Sequence, residues 1–346
     1  MRGFLKRMFT SREKAGAATS STLPDVAKEK HTGSPNEALP SMVLGSRGEM
    51  VRSLAFSPDN KMLASTGLKA VNLWDVATRK LVRTIYDRSV VNMLAFSVDG
   101  TMLAGAVWEG TRLWNVQTGR VEDTLPAGYK SNHVMAVNFS PDGKLMASGD
   151  GRIWDLKTHQ PVAELHIFVE ALAFSPDGSL LATGPSPSSG WLDHIEIRSL
   201  ASGVLLRALK GPTSTHFAVA FSPDGKTLMD GRRRQDTTTG PVKSLGYFEV
   251  RLWDVDTGEL RGAFQQQHSA YEPEVAFCPN GSLVASGGGK TDVTVKLWAI
   301  QSGRLLVSFE GHNDQIMAIA FSTDGGTLAS GDRQGSVRLW NLANLK

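Results

Sequence analysis

The chain has 346 residues, 41% of them hydrophobic, with a formal net charge of +3 and one cysteine. No apolar run approaches the roughly 18 residues of a membrane-spanning helix, and a lone cysteine rules out an internal disulfide framework. Residues 1–41 hold seven basic and four acidic side chains, so the remaining residues balance and give no global field for drawing in a polyanion.

At the start of the chain, Arg2, Lys6 and Arg7 interrupt Phe4, Leu5, Met8 and Phe9, which leaves no continuous apolar segment for a secretory signal. The expected location is therefore cytoplasmic, with the nucleus also open. Residues 1–41 are rich in Ser, Thr, Lys, Ala and Pro and bury too little apolar surface to offset the entropy of ordering. They are read as a disordered basic tail. Within it, Phe4, Leu5, Met8 and Phe9 would also fall on one face of a basic amphipathic helix suited to a membrane or a partner.

From residue 42 onward one phrase recurs seven times, close to Ala-Phe-Ser-Pro-Asp-Gly, anchored at Phe56, Phe96, Phe139, Phe174, Phe221, Phe277 and Phe321. The intervals are 40, 43, 35, 47, 56 and 44 residues. A period of about 40 to 45 residues carrying four short strands marks a propeller blade. In the first repeat, residues 51–57, 62–65 and 70–76 read as strands, with Ser57-Pro58-Asp59-Asn60 as the first turn. Pro presets the second turn position, and Gly usually completes the turn, as in Ser140-Pro141-Asp142-Gly143. The seventh repeat runs to Lys346 just after its third strand. Aligning Phe56 with Phe321 sets Met42, Val43 and Leu44 opposite Val307, Ser308 and Phe309, the fourth strand of the sixth repeat. That alignment predicts an all-β, seven-bladed propeller of four-stranded antiparallel blades over residues 42–346, its ring closed by the N-terminal strand.

Six repeats place Trp at the end of the third strand: Trp74, Trp114, Trp154, Trp253, Trp298 and Trp340. With Trp-Asp at Trp74-Asp75, Trp154-Asp155 and Trp253-Asp254, the chain resembles the WD40-repeat family over residues 42–346. Repeat four departs from it, with Arg198-Ser199 in place of the dipeptide, and the Gly-His pair survives once, at Gly311-His312. The resemblance implies a His, Ser, Asp and Trp hydrogen-bond network inside a blade. Repeat seven retains His312, Ser330 and Trp340 for it, with Gln334 where Asp is expected. The resemblance also implies a scaffold or adaptor in a larger assembly.

Catalytic and cofactor chemistry finds little purchase. Residues 220–227 fit a permissive phosphate-loop pattern but sit on a strand entering a hairpin rather than a helix. The eight histidines show no metal-ligand spacing, and no nucleophile elbow occurs. Cys278 replaces the turn Ser of repeat six and reads as a small buried residue. No catalytic residue, metal or cofactor is predicted, although an enzyme on this scaffold would need converging ionisable groups in the central channel.

The expected site is one face of the ring, where loops between second and third strands and loops between blades emerge together. Trp108, Tyr129, Trp191 and Tyr271 fall in such loops, an aromatic enrichment typical of binding surfaces. The loop between strands two and three is expanded in repeats four and five, where His194 and the run Arg232, Arg233 and Arg234 lie. The predicted partner is a protein or peptide. The alternative is RNA or an anionic phospholipid, bound through the Arg232 to Arg234 loop and the basic tail.

Overall fold

The computed structural model describes residues 42–46, 49–128, 134–165, 167–185, 194–210, 216–234, 247–267, 274–289 and 292–343. Residues 1–41, expected to be a disordered tail, lie outside the described residues. The strands form seven antiparallel sheets of four. Blades one to seven begin with the innermost strands Leu54–Phe56, Met93–Phe96, Val137–Phe139, Val169–Phe174, His216–Phe221, Glu274–Phe277 and Ile316–Phe321. Each innermost strand touches the next, and the seventh returns to the first. Among the described residues no helix is long and apolar enough to cross a membrane.

Local chemistry sets each first hairpin. Ser57 Oγ donates to Asp59 Oδ1 at 2.7 Å and accepts from the Met62 N–H at 2.9 Å, so one hydroxyl ties the turn to the second strand. The same pair of bonds recurs at Ser97, Ser140, Ser175, Ser222 and Ser322. Blade six changes both partners together, to Cys278 and Asn280, and the amide oxygen of Asn280 accepts instead from Ser282. The last turn residue takes a left-handed backbone, with Gly143 at φ 68° and its counterpart Asn60 at 58°, a conformation that Gly and Asn tolerate best.

The predicted strand over residues 51–57 is shorter in the structure, covering Leu54–Phe56. The Val51 N–H is committed to Asp332 O of blade seven at 3.1 Å, and the N–H groups of Arg52 and Ser53 both donate to Thr66 Oγ1. These bonds hold the entry to blade one but take it out of the ladder.

The core lies between blades. Ala64, Val71, Leu73 and Ile85 of blade one pack on Leu94, Leu103 and Trp114 of blade two, and comparable seams recur around the ring. All six repeated tryptophans are buried, as the spacing predicts. Trp340 stacks on Phe309 of the preceding blade with ring centroids 4.9 Å apart. Truncating such a ring to Ala costs about 3 to 5 kcal/mol.

The indole N–H groups show how far the family network persists. Trp74, Trp154, Trp298 and Trp340 donate to Ser65, Ser148, Ser286 and Ser330 at 2.8 to 3.0 Å. In blade seven, Ser330 Oγ lies 2.6 Å from His312 Nε2, and His312 Nδ1 lies 2.8 Å from Asp332 Oδ2, all within the buried interior. The acid is therefore Asp332, not position 334 as the sequence alignment placed it. The second strand, Thr327–Asp332, delivers Asp332 beside the histidine, while the Gln334 N–H merely donates to that carboxylate at 3.0 Å. In blade three the Gly128 N–H donates to the corresponding Asp150 at 2.8 Å, where blade seven uses histidine.

Closure follows the predicted route. Met42–Ser46 pairs antiparallel with Ser336–Asn341, matching Met42 with Leu339 and Ser46 with Ser336, with a bulge at Leu44. A second tie joins the ends, because Thr323 of blade seven donates to Asn60 Oδ1 and Pro58 O of blade one.

Candidate functional site

On the face carrying the strand-two to strand-three turns, the tightest tip belongs to blade two. Met102–Val107 and Gly110–Asn115 pair up to Val107 and Gly110, leaving Trp108 and Glu109 as a two-residue turn. Gly110 has φ 147°, and a Cβ there would lie 2.0 Å from Leu125 O, so only glycine lets the turn close against the outer strand. Glu109 is anchored on several sides. Its carboxylate accepts from Ser89 Oγ at 2.7 Å, its carbonyl accepts from the Ala127 N–H at 2.9 Å, and Arg112 bridges it to Asp87 at 3.8 and 3.5 Å. The Ser89 hydroxyl, ahead of the opposing effect of burial, holds the Glu109 carboxyl below its usual range. The result is a braced tip on which Trp108 remains 62% exposed.

The other expected residues divide. Tyr129, Trp191 and Tyr271 lie outside the described residues. His194 opens the third strand of blade four, His194–Ser199, and is half-buried with Nε2 3.6 Å from Glu196 Oε1. Glu196 is in turn held by Arg198, the residue standing at the Trp position, with two N–O separations of 2.9 Å.

Arg232, Arg233 and Arg234 do not form a loop, which corrects the sequence reading. Their backbone continues the strand Thr227–Arg234, paired with Tyr247–Asp254 so that Arg232, Arg233 and Arg234 face Glu249, Phe248 and Tyr247. Charge and repeat-length counting mark this run as an insertion, but the extra residues lengthen the ladder on both sides. Cross-strand pairing, not the charge of the run, decides their backbone conformation.

A cavity of about 330 Å³ runs down the axis and is lined by residues in or just ahead of the innermost strands of all seven blades. Its walls are shared between apolar side chains and the polar groups Arg52, Ser53, Asn92, Glu170 and Glu274. The ionisable ones, Arg52, Glu170 and Glu274, come from blades one, four and six, and among the described residues no group of three or more His, Cys, Asp and Glu is placed to hold a metal ion.

Sequence reasoning missed two exposed large side chains of blade one at the same end of the ring. Leu68 lies in the strand-two to strand-three turn of blade one, and Tyr86 ends that blade's outer strand. They are 52% and 78% exposed. The only signal for either was its place at the turn-bearing end of a strand, which many surface residues share.

The repeat model described as "WD domain, G-beta repeat" matches residues 40–75, 121–155, 159–191 and 303–341, and the seven-bladed ring accounts for the stretches between them. The chain carries WD40 repeats. Relatives of this WD40 propeller include "Guanine nucleotide-binding protein subunit beta" of Zea mays, 31% identical over 113 residues, which are 31% of this chain and 29% of the relative. "Small ribosomal subunit protein RACK1y" of Oryza sativa subsp. japonica is 35% identical over 79 residues, 23% of this chain and 24% of the relative. "Transducin beta-like protein 3" of Bos taurus is 31% identical over 187 residues, 44% of this chain and 23% of the relative. The chain thus spans less than a third of the length of each of these relatives. WD40 propellers generally act as noncatalytic scaffolds that bind protein partners.

Proposed function

We propose that this WD40 propeller is a noncatalytic platform that docks a protein or peptide partner on the face bearing the strand-two to strand-three turns. The observation that carries the reading is Trp108, held out on a tip whose neighbours are bonded in place. An exposed aromatic on a turn held this way is a ready anchor, because little backbone freedom remains to be lost on binding. By their sequence positions Tyr129, Trp191, His194, Tyr271 and the Arg232 to Arg234 run belong to the same proposed surface.

The test is partner recovery from the native cell with the full chain, comparing wild type with Trp108→Ala and with Glu170→Gln and Glu274→Gln in the channel. Loss of partner with Trp108→Ala, at an unchanged melting temperature and with recovery intact in the channel variants, supports the face. Recovery that depends on the channel carboxylates instead would move the site to the axis. A salt-steep affinity for single-stranded RNA or anionic vesicles, lost on replacing Arg232, Arg233 and Arg234, would replace the protein-binding reading altogether.

A further inference from the structure

We infer that the outer seam between blades three and four seats an arginine side chain from a partner protein. The site lies at the end of the strands opposite the strand-two to strand-three turns, so it goes beyond the platform reading above and does not depend on it. Around the ring, a side chain from the outer strand of one blade closes over the strand-three to strand-four turn of the next. Arg83 of blade one lies across the turn of blade two, where a Cβ at Gly119 would meet its Cδ at 2.7 Å. Its guanidinium donates to Thr118 O at 3.0 Å and to Gln117 O at 2.9 Å. Arg207 of blade four does the same on blade five, its Cδ 3.2 Å from a Cβ at Gly258 and its Nε donating to Asp256 O at 2.9 Å. Gln117 and Asp256 each stand two residues ahead of the turn glycine. Asp123 of blade two meets His159 in the turn of blade three, and Phe264 of blade five covers Gly303 in the turn of blade six.

The turn of blade four is left open. Ile153 pairs with Ala163 where Leu73 pairs with Arg83 and Ile197 with Arg207, so the residue due to reach across from blade three ends at its Cβ. A Cβ at Gly203 would meet nothing within 4 Å. The matching carbonyls, Ala201 O and Ser202 O, accept no hydrogen bond among the described residues. The seam also lacks the tryptophan that packs on the preceding blade elsewhere, because Arg198 stands there, turned back onto Glu196 at 2.9 Å and onto Gly203 O at 3.1 Å. Paired in this way, it leaves the opening unfilled and its own charge matched. Leu205, opposite Arg198, and Ala208, opposite Glu196, share that face and are exposed, which gives the opening an apolar flank. Two of the chain's own seams are closed by arginine, and the vacant one keeps the same acceptors. An arginine stem lies along apolar surface, and its planar fork bonds two adjacent carbonyls at once, as Arg83 does, where a lysine offers a single point charge. Carbonyl oxygens accept and do not donate, so phosphates of a nucleic acid or a lipid headgroup do not suit the opening.

A displayed library of random peptides, selected on the full chain and counter-selected on its Ala163→Arg variant, tests this. That variant puts an arginine where blade one has Arg83, so it should close its own opening and melt no lower than wild type. The expected outcome is enrichment of peptides with an arginine next to Leu, Ile or Val. Affinity for the strongest synthesised peptide should fall about tenfold or more when its arginine is changed to lysine, in Ala163→Arg, and in Ala208→Lys, which sets a cation on the exposed flank. Trp108→Ala should leave it unchanged. Enriched peptides without arginine, no enriched peptide at all, or a lower melting temperature for Ala163→Arg would overturn the seam assignment and leave the platform reading standing. Binding lost in Trp108→Ala but kept in Ala208→Lys would return the peptide to the turn-bearing face and overturn the seam as well. Self-association in size-exclusion chromatography, abolished by Ala163→Arg, would make the occupant a second copy of this chain and overturn the assignment to a partner protein.

Discussion

A single repeat position shows how the same residue type acquires different energetics around the ring. Trp340 donates to Ser330, which is bonded on to His312 and Asp332, whereas Trp114 Nε1 has no hydrogen-bond partner among the described residues. The cause is Gly105, which stands where four other blades place the accepting serine. Trp340→Phe should therefore cost about 1 to 3 kcal/mol more than Trp114→Phe, since only the former breaks a satisfied buried network. Urea unfolding of the two variants measures the difference. Restoring the serine would not help blade two. A Cβ at Gly105 would meet the Trp114 ring at 2.4 Å and Val91 at 3.0 Å, so Gly105→Ser should destabilise through overpacking, by about 1 to 3 kcal/mol.

At the scale of an element, the strand that completes blade seven carries more than its five residues imply. Met42–Ser46 covers the edge of Ser336–Asn341, and Leu44 is buried among Val51, Leu54, Val337 and Leu339 from both sides of the closure. Leu44→Ala should cost about 2 to 5 kcal/mol, the range for a large-to-small change in a packed site. Its signature is a lower urea midpoint with an unchanged slope. Removing residues 1–46 altogether should do worse, leaving an unpaired edge that self-associates, which size-exclusion chromatography would register as species larger than those of the full chain. An unaltered elution profile would mean that the Thr323 to Asn60 tie alone holds the ring.

For the whole molecule, the repeated turn makes stability depend on acidity in a defined direction. Asp59, Asp99, Asp142, Asp177, Asp224 and Asp324 are all held below their usual range, first by the neighbouring serine hydroxyl and next by a backbone N–H two residues on. Asp142 is lowered from 3.8 to about 2. A carboxyl with a depressed folded-state pKa contributes stability above its unfolded value and loses it as pH falls through the folded one. Melting temperature should therefore hold steady from neutrality to about pH 4.5 and decline across the window from 3.8 towards 2 in which Asp142 titrates. Asp142→Asn should lower the melting temperature at pH 7, and its penalty should shrink steadily as pH falls from 3.8 through about 2. A penalty of equal size throughout would show that the charge is not what the turn uses. The buried Cys278 thiol, raised by burial, should resist alkylation until the ring is unfolded.

The fold was legible because its determinants are short-range and repeated. Ser-Pro-Asp-Gly closes a hairpin through bonds between residues no more than five apart, and counting those hairpins predicts both the seven blades and the need for an N-terminal strand at residue 42. The surface was only partly legible. Trp108 could be assigned to a turn from spacing alone, but the three arginines at 232 to 234 read as a loop because composition does not reveal the partner strand that pairs with them. Asp332, the acid beside His312, was masked by the same limitation, since which side chain reaches across a blade depends on strand length and twist. The exposure of Leu68 and Tyr86 lay beyond any local pattern. Backbone preference is written within a few residues of chain, whereas exposure and cross-blade partners depend on neighbours that only the packed ring brings together.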